Sequence, residues 1–310
     1  MVDLILAVTN ECNSRCRMCN IWKEREKKRL SIEDIRNLPD NLGYVNLTGG
    51  EATLIPDFEE IVEILKKKSK KVFLSTNGFI HRDITDVEVR VSLDGEEAVH
   101  DYLRGVKGAY KMATKSIEYY KEKNSVGICC TIMQENIGQF SKMYDFAKRE
   151  GIQFTGTFVQ NSFYFRKNDN TIDESKYEDV FKDIDYVVND MIKSWSPWTL
   201  FRAYFFSQIK DLMIGKERKV RCGAGKRFFF IDWNGDVYPC NMLHWKLGNI
   251  HEEDFEDIRK RSREVVDCPR ECWLICTTQS EVRSRPWKFA SWILKKKISL
   301  LFGMGKPKPL

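Results

Sequence analysis

The chain has 310 residues, 42% of them hydrophobic and 31% charged, with a mean hydropathy of −0.45 and a formal net charge of +6. That size suits one large α/β domain with a smaller appendage, and no stretch reaches the ~18 uninterrupted apolar residues of a membrane-spanning helix. The start, MVDLILAVTNEC, has a strand-length apolar run and no basic n-region, so it is not a secretory signal. A cytoplasmic location is therefore expected, and with it metal ligation or catalysis rather than disulfides as the use of the ten cysteines. Eight Lys/Arg and no Asp/Glu fall between Val282 and Leu310, leaving the remainder at a net −2. The basicity belongs to the tail, and nothing in it implies a nucleic-acid partner.

In chain order, Leu4–Thr9 reads as a strand followed by a cysteine-bearing loop, and Ser31 as the N-cap of a short helix through Leu38. Asp34 stands where a capping box prefers Glu or Gln, so that match is partial. Tyr44–Leu47 is a second strand, Pro56–Lys68 a helix with Phe58, Ile61, Val62, Ile64 and Leu65 in helical register, and Val72–Ser75 a third strand. About ten residues separate Asn77 from the fourth strand, Val87–Leu93, too few for a crossover helix. A helix over 108–122, a strand over 126–133, a helix over 138–150 and a strand over 152–158 follow. Cys129 and Cys130 lie in the apolar run VGICCTIM and read as packed core. Asp173 to Ile214 is helical, broken at Ser196-Pro197 because proline disrupts a helix interior. The alternation of strand and helix implies a parallel sheet, wound as a barrel or doubly wound.

Cys12, Cys16 and Cys19 have the spacing C-x3-C-x2-C directly after the first strand. Three thiolates on one short loop can hold three corners of a cubane and leave one iron open, whereas structural zinc normally closes with four ligands. Further motifs end successive strands: Gly49-Gly50-Glu51, then Ser75-Thr76-Asn77-Gly78, then Ser92-Leu93-Asp94-Gly95, with Arg104-Gly105 beyond. Two glycines permit close backbone approach, and a carboxylate suits an ammonium. The C-terminal ends of parallel strands are where barrels place chemistry. In this order the motifs resemble those of the radical S-adenosylmethionine (SAM) superfamily. Met18 and Ala52 depart from it, standing where the family often has an aromatic residue and a proline.

The resemblance implies a partial (β/α)6 TIM-like barrel over residues 1–215. It also implies a 4Fe–4S cluster on Cys12, Cys16 and Cys19 whose open iron is chelated by the amine and carboxylate of SAM. One-electron reduction then releases methionine and a 5′-deoxyadenosyl radical that takes hydrogen from a substrate. Gly49, Gly50 and Glu51 would lie at the methionine amine, Ser75 and Asn77 close to the cofactor, and Ser92, Asp94 and Arg104 by the ribose and carboxylate. An external one-electron donor such as ferredoxin or flavodoxin is implied as well.

The remaining cysteines form C-x12-G-x4-C (Cys222, Gly235, Cys240) and C-x3-C-x3-C (Cys268, Cys272, Cys276). Trp233-Asn234-Gly235 between apolar runs signals a hairpin. Over 216–280 the pattern is similar to the SPASM/twitch extension of radical SAM enzymes, which implies an auxiliary 4Fe–4S cluster. Cys222, Cys240, Cys272 and Cys276 are the preferred ligands with Cys268 the spare, an exchange of Cys268 for Cys272 being the open alternative; a zinc knuckle has the same spacing. The tail, 281–310, has Trp287, Ala290, Leu294, Ile298 and Leu301 at 3–4 residue spacing beside Lys295–Lys297. Two readings are open, a basic amphipathic helix on the inner membrane face and a closing helix with solvated lysines.

The leading expectation is a radical SAM oxidoreductase or modifying enzyme acting on a small-molecule, sugar or lipid-linked substrate. That substrate preference rests on the cluster loop starting at residue 12, with no leader-recognition domain before it. In the stretch Thr155–Tyr164, at and beyond the end of the sixth strand, Thr157, Gln160 and Asn161 are candidate contacts to a polar substrate. A peptide- or protein-modifying maturase is the alternative, and a non-catalytic zinc or iron–sulfur protein the reading from another class.

Overall fold

The computed structural model describes residues 1–216, 222–262, 272 and 274–302. The chain divides into two compact units, Met1–Thr171 with Gly223–Cys268, and Ile172–Cys222 with Pro269–Leu310. In the first, strands β1 (Asp3–Ala7), β2 (Leu42–Thr48), β3 (Ser69–Thr76), β4 (Glu88–Ser92), β5 (Ser125–Ile132) and β6 (Gln153–Phe158) pair in sequence order, every pair parallel. Helices α1 (Ile32–Arg36), α2 (Phe58–Lys68), α3 (Glu97–Arg104), α4 (Ala109–Lys121) and α5 (Phe140–Arg149) fill the connections. β1 and β6 do not pair, which leaves the expected partial (β/α)6 barrel open. Leu4, Leu6, Val45, Leu47, Leu74, Val89, Val91 and Ile128 are buried, as near-continuous apolar strands of a parallel sheet should be. Cys130 is buried on β5 as a packed core residue, whereas Cys129 is only half-buried.

Beyond β6 the chain forms α6 (Tyr177–Met191) and α7 (Pro197–Met213) of the second unit. It returns to the first as β7 (Phe228–Ile231), β8 (Asp236–Tyr238), β9 (Gly248–Asn249) and α8 (Phe255–Arg261). It ends in the second as α9 (Ile275–Ser284) and α10 (Pro286–Leu301). β7 pairs parallel with β1, and β8 turns back on β7 through Asn234-Gly235, where Gly235 takes φ +77°. The expected hairpin is therefore present and extends the barrel sheet at its β1 edge. All four β7 residues are buried, which is what a run of three phenylalanines and an isoleucine requires. Among the described residues no helix is long and apolar enough to cross a membrane.

Local chemistry explains the element ends. At α1 the Asp34 amide donates to the Ser31 hydroxyl at 3.2 Å and the Ser31 amide to Asp34 Oδ2 at 2.7 Å, so aspartate completes the box in place of Glu or Gln. Pro197 opens α7 at a position that needs no amide, with Ser196 capping Thr199. The β3–β4 connection holds no helix, and Arg82 tethers it by donating to the carbonyls of Thr53 and Ile55, each at 2.7 Å. Among the described residues three helices, α3, α8 and α9, have no counterpart among the sequence-based expectations. α3, only eight residues long, ends at Gly105, whose φ of +64° is the left-handed C-terminal stop.

His100 on α3 is fully buried, and its Nδ1 accepts from the Asp94 amide at 3.1 Å. Burial, reinforced by the Arg104 charge, lowers its pKa from 6.5 to about 4. The unfolded chain therefore binds a proton that the folded chain refuses, and stability falls as pH drops from about 6.5 toward 4. The span corresponds to about 3 kcal/mol. Urea unfolding at pH 7 and pH 5 tests this. His100→Asn, which keeps an acceptor near the Nδ1 position, should flatten the pH dependence in that window.

Candidate functional site

The motifs at the ends of β1 to β4 converge on one mouth of the barrel, and the cysteine loop is fastened there by backbone. The amides of Arg15 and Arg17 donate to the carbonyls of Arg104 and Leu103, both at 2.9 Å, and the Ser14 hydroxyl donates to Arg104 O at 3.1 Å. The end of α3 is thus the seat of the loop. A Cβ on Gly105 would lie 2.5 Å from Arg15 O, so only glycine allows that approach. At the far side of the loop, Trp22 Nε1 donates to Cys19 O at 2.9 Å and Asn20 N to Phe165 O at 2.8 Å.

Cys12, Cys16 and Cys19 are half-buried and form no disulfide. Burial pushes the thiols of Cys12 and Cys19 up to about 12. Cationic iron must therefore displace their protons on binding. The loop's three sulfurs, with no fourth cysteine beside them in the sequence, suit a cubane with one iron left for another ligand.

Arg104 occupies the centre of this arrangement. Its Nη2 lies 2.5 Å from Asp94 Oδ2 and its Nη1 3.7 Å from Cys16 Sγ, while the Ser14 hydroxyl is 3.1 Å from the same sulfur. Burial opposes the Arg104 charge, but Asp94 and Cys16 outweigh it and hold the guanidinium firmly protonated. Asp94 is itself fully buried, with Oδ1 accepting from the Thr131 amide at 2.9 Å. The implied role of Arg104, a contact to a SAM carboxylate, is thus narrowed. Nη1 and Nη2 are directed at Cys16 and Asp94, and Nε is buried without a hydrogen bond.

Glu51 differs in a similar way from its implied role at an ammonium. Its carboxylate is buried, and Oε1 accepts from the Thr53 amide at 3.2 Å and from the hydroxyls of Thr53 and Thr76, each at 2.8 Å. Oε2 accepts from the Asn77 amide at 2.7 Å. Burial raises its pKa, and these hydrogen bonds work against the rise. The side chain staples the loops after β2 and β3 together, and Oε2 alone retains capacity for another donor. Gly49 and Gly50 also serve the chain's own packing. Added Cβ atoms would lie 2.5 Å from Thr9 O and 2.3 Å from Glu11 O. The close approach that the glycines permit is to the entrance of the cysteine loop.

Asn77 Nδ2 donates to Asn13 Oδ1 at 2.7 Å, tying the β3 loop to the cysteine loop, and Ser75 donates to Asn46 at 2.9 Å within the sheet. Ser92 ends β4, half-buried. Asn161 exchanges hydrogen bonds with Asn170 and so stabilises the loop after β6, while Thr157 donates to the Phe158 carbonyl at 3.3 Å at the end of the strand. Tyr164, in the stretch singled out after the sixth strand, is a connection that motif reading passed over. Its hydroxyl donates to Gly49 O at 2.8 Å, and its ring packs with Ala7, Ile21, Phe230 and Trp233 against Cys19.

Of the C-terminal cysteines, Cys240 follows β8 in the first unit, where Gly225 N donates to Pro239 O at 3.1 Å and the Ser162 hydroxyl to Asn241 O. Cys222, Cys272 and Cys276 belong to the second unit, with Cys276 in the first turn of α9. Cys268 lies outside the described residues.

The Arg104–Asp94 pair yields a stability prediction. Arg104→Met leaves a buried carboxylate without its counter-charge, at an expected cost of about 3–5 kcal/mol in urea unfolding. Adding Asp94→Asn should recover part of that loss, the non-additivity of two groups in contact. Strict additivity would show that the pair does not couple.

Comparison with known proteins agrees with this geometry. Residues 6–147 match the radical SAM superfamily, and residues 222–277 match SPASM, an iron–sulfur cluster-binding domain. The sporulation killing factor maturation protein SkfB of Bacillus subtilis is 25% identical over 291 residues, covering 84% of this chain and 65% of SkfB. Mycofactocin maturase MftC of Mycobacterium tuberculosis is 28% identical over 290 residues, covering 84% of this chain and 71% of MftC. Streptococcus suis SuiB, solved bound to S-adenosylmethionine, matches with a TM-score of 0.64 at 16% identity, over 87% of this chain and 66% of SuiB. SuiB has also been solved bound to a precursor peptide, SuiA. The chain thus spans 65% to 71% of the length of these relatives. It belongs to the radical SAM superfamily and carries a SPASM iron–sulfur cluster-binding domain.

Proposed function

We propose that the chain is a peptide-modifying radical SAM enzyme. The observation that carries the chemistry is the loop of Cys12, Cys16 and Cys19 seated on α3 at the mouth of a parallel barrel, with the Arg104 guanidinium 3.7 Å from Cys16 Sγ. Bound there, a 4Fe–4S cluster and SAM supply a 5′-deoxyadenosyl radical able to take hydrogen from carbon. The chain's own residues set the conditions. Cys12 and Cys19 are desolvated, which keeps water from the metal ligands. Arg104 directs a polar hydrogen toward Cys16, the Ser14 hydroxyl lies 3.1 Å from the same sulfur, and Tyr164 fixes the Gly49 carbonyl.

The substrate class rests on the relatives. SkfB is named a maturation protein, MftC a maturase, and SuiB was solved with a precursor peptide. These favour the peptide reading over the small-molecule, sugar or lipid-linked substrate preferred from the sequence, whose argument was the position of Cys12. Under this proposal the auxiliary cluster takes its ligands from Cys222, Cys240, Cys272 and Cys276, with Cys268 as the spare. It accepts the electron left after hydrogen abstraction, or anchors substrate. The reducing electron comes from a ferredoxin- or flavodoxin-type donor in the cytoplasm.

Anaerobic reconstitution should load about eight irons per chain, four for each cluster. With dithionite and SAM, the wild type should release 5′-deoxyadenosine and Cys16→Ala should release none. Peptides encoded beside the gene should change mass in step with 5′-deoxyadenosine, and Cys240→Ala should uncouple the two, cleaving SAM without modified peptide. A zinc-only, SAM-inert protein would contradict the enzyme reading. Consumption of a metabolite with every peptide unchanged would contradict the peptide reading alone.

A further inference from the structure

α10 is apolar on two opposite faces, and the described residues cover only one. Phe289 and Trp292 pack against Tyr204 of α7, with ring centroids 5.3 and 5.1 Å away, and Ile293 lies half-buried beside them. Tyr204 is in turn held by Glu281 through a 3.1 Å hydrogen bond. At 3.6 residues per turn, Trp287, Leu294, Ile298 and Leu301 fall within an arc of roughly 60°, diametrically opposite. These side chains are open to solvent, Trp287 at 67%, Leu294 at 62% and Leu301 at 82%. Phe302 follows at 71%, and Trp195, in the turn between α6 and α7, is 82% exposed with Lys297 Nζ 3.7 Å from its ring centroid. α10 buries none of its residues fully.

The charges favour one occupant for this face. The same wheel places Lys295 and Lys297 on its two edges, and no acidic residue occurs from Val282 onward. Lys288 is paired with Glu281, but Lys295 and Lys296 have no acidic partner among the described residues. Lysine is depleted in the cores of protein–protein interfaces. Tryptophan and leucine flanked by lysine, on a helix too short and too charged to span, is the pattern of a helix lying in the headgroup region of an anionic bilayer.

We propose that the outer face of α10, extended by Trp195, docks this protein on an anionic lipid surface. The inference is independent of what the radical SAM site acts on, and its test does not need turnover. The reconstituted full chain is sedimented with phosphatidylcholine vesicles, with and without phosphatidylglycerol. Binding to the anionic vesicles alone, weakening as salt is raised, is expected. Leu294→Glu with Leu301→Glu should weaken it more than about tenfold, and Lys295→Glu with Lys297→Glu by at least about tenfold. Far-UV circular dichroism should show the same fold for each variant. Absence of sedimentation, or equal binding by wild type and both variants, overturns the proposal. So does a self-association in light scattering that Leu294→Glu with Leu301→Glu abolishes while no vesicle binding is seen, because the face is then an interface between copies.

Discussion

Everything at the barrel mouth is arranged around a buried positive charge. The Arg104 guanidinium is neutralised by Asp94 on one side and reaches the Cys16 sulfur on the other, while its own carbonyl and that of Leu103 hold the cysteine loop. A buried guanidinium without Asp94 would be costly, and a buried Asp94 without Arg104 equally so. The ion pair therefore fixes the distance between β4, the end of α3 and the loop after β1. Groups in a low-dielectric site act on a nearby charge more strongly than in water. A cluster held on Cys16 would have the Arg104 guanidinium beside its thiolate, a charge that favours the more negative, reduced state.

A second buried group repeats this logic on the other side. Glu51 gathers the Thr53, Thr76 and Asn77 donors and so locks the loops after β2 and β3. Asn77 passes that constraint to Asn13, and Gly49 and Gly50 bring the β2 loop onto Thr9 and Glu11. The loop bearing Cys12, Cys16 and Cys19 is therefore gripped from four strands at once. A site that must hold a redox centre gains from such rigidity, since outer residues orient the ligands and exclude water.

The sequence made the barrel legible because its strands are unbroken apolar runs and each motif falls at a strand end. It also made the hairpin legible, because Asn-Gly between apolar segments has few other structures. Tertiary partners were not legible. Nothing local in Glu51 says that three neighbours will consume most of its acceptor capacity, and nothing in Gly50 says that Glu11 lies against it. α3 was not legible because its eight residues are too few to show a helical period and its last, Arg104, with Gly105, falls in a ligand motif. Likewise β7 reads as one arm of a hairpin, while its pairing with β1, more than 200 positions earlier in the chain, is a long-range fact that no local pattern carries.

The proposed chemistry requires that the loop of Cys12, Cys16 and Cys19 hold a cluster with an iron open to SAM. Electron paramagnetic resonance of the dithionite-reduced, reconstituted protein, recorded with and without SAM, addresses it directly. SAM is expected to shift the cluster signal in the wild type and to shift nothing in Cys16→Ala. A spectrum indifferent to SAM in the wild type, or a shift that survives Cys16→Ala, would contradict it.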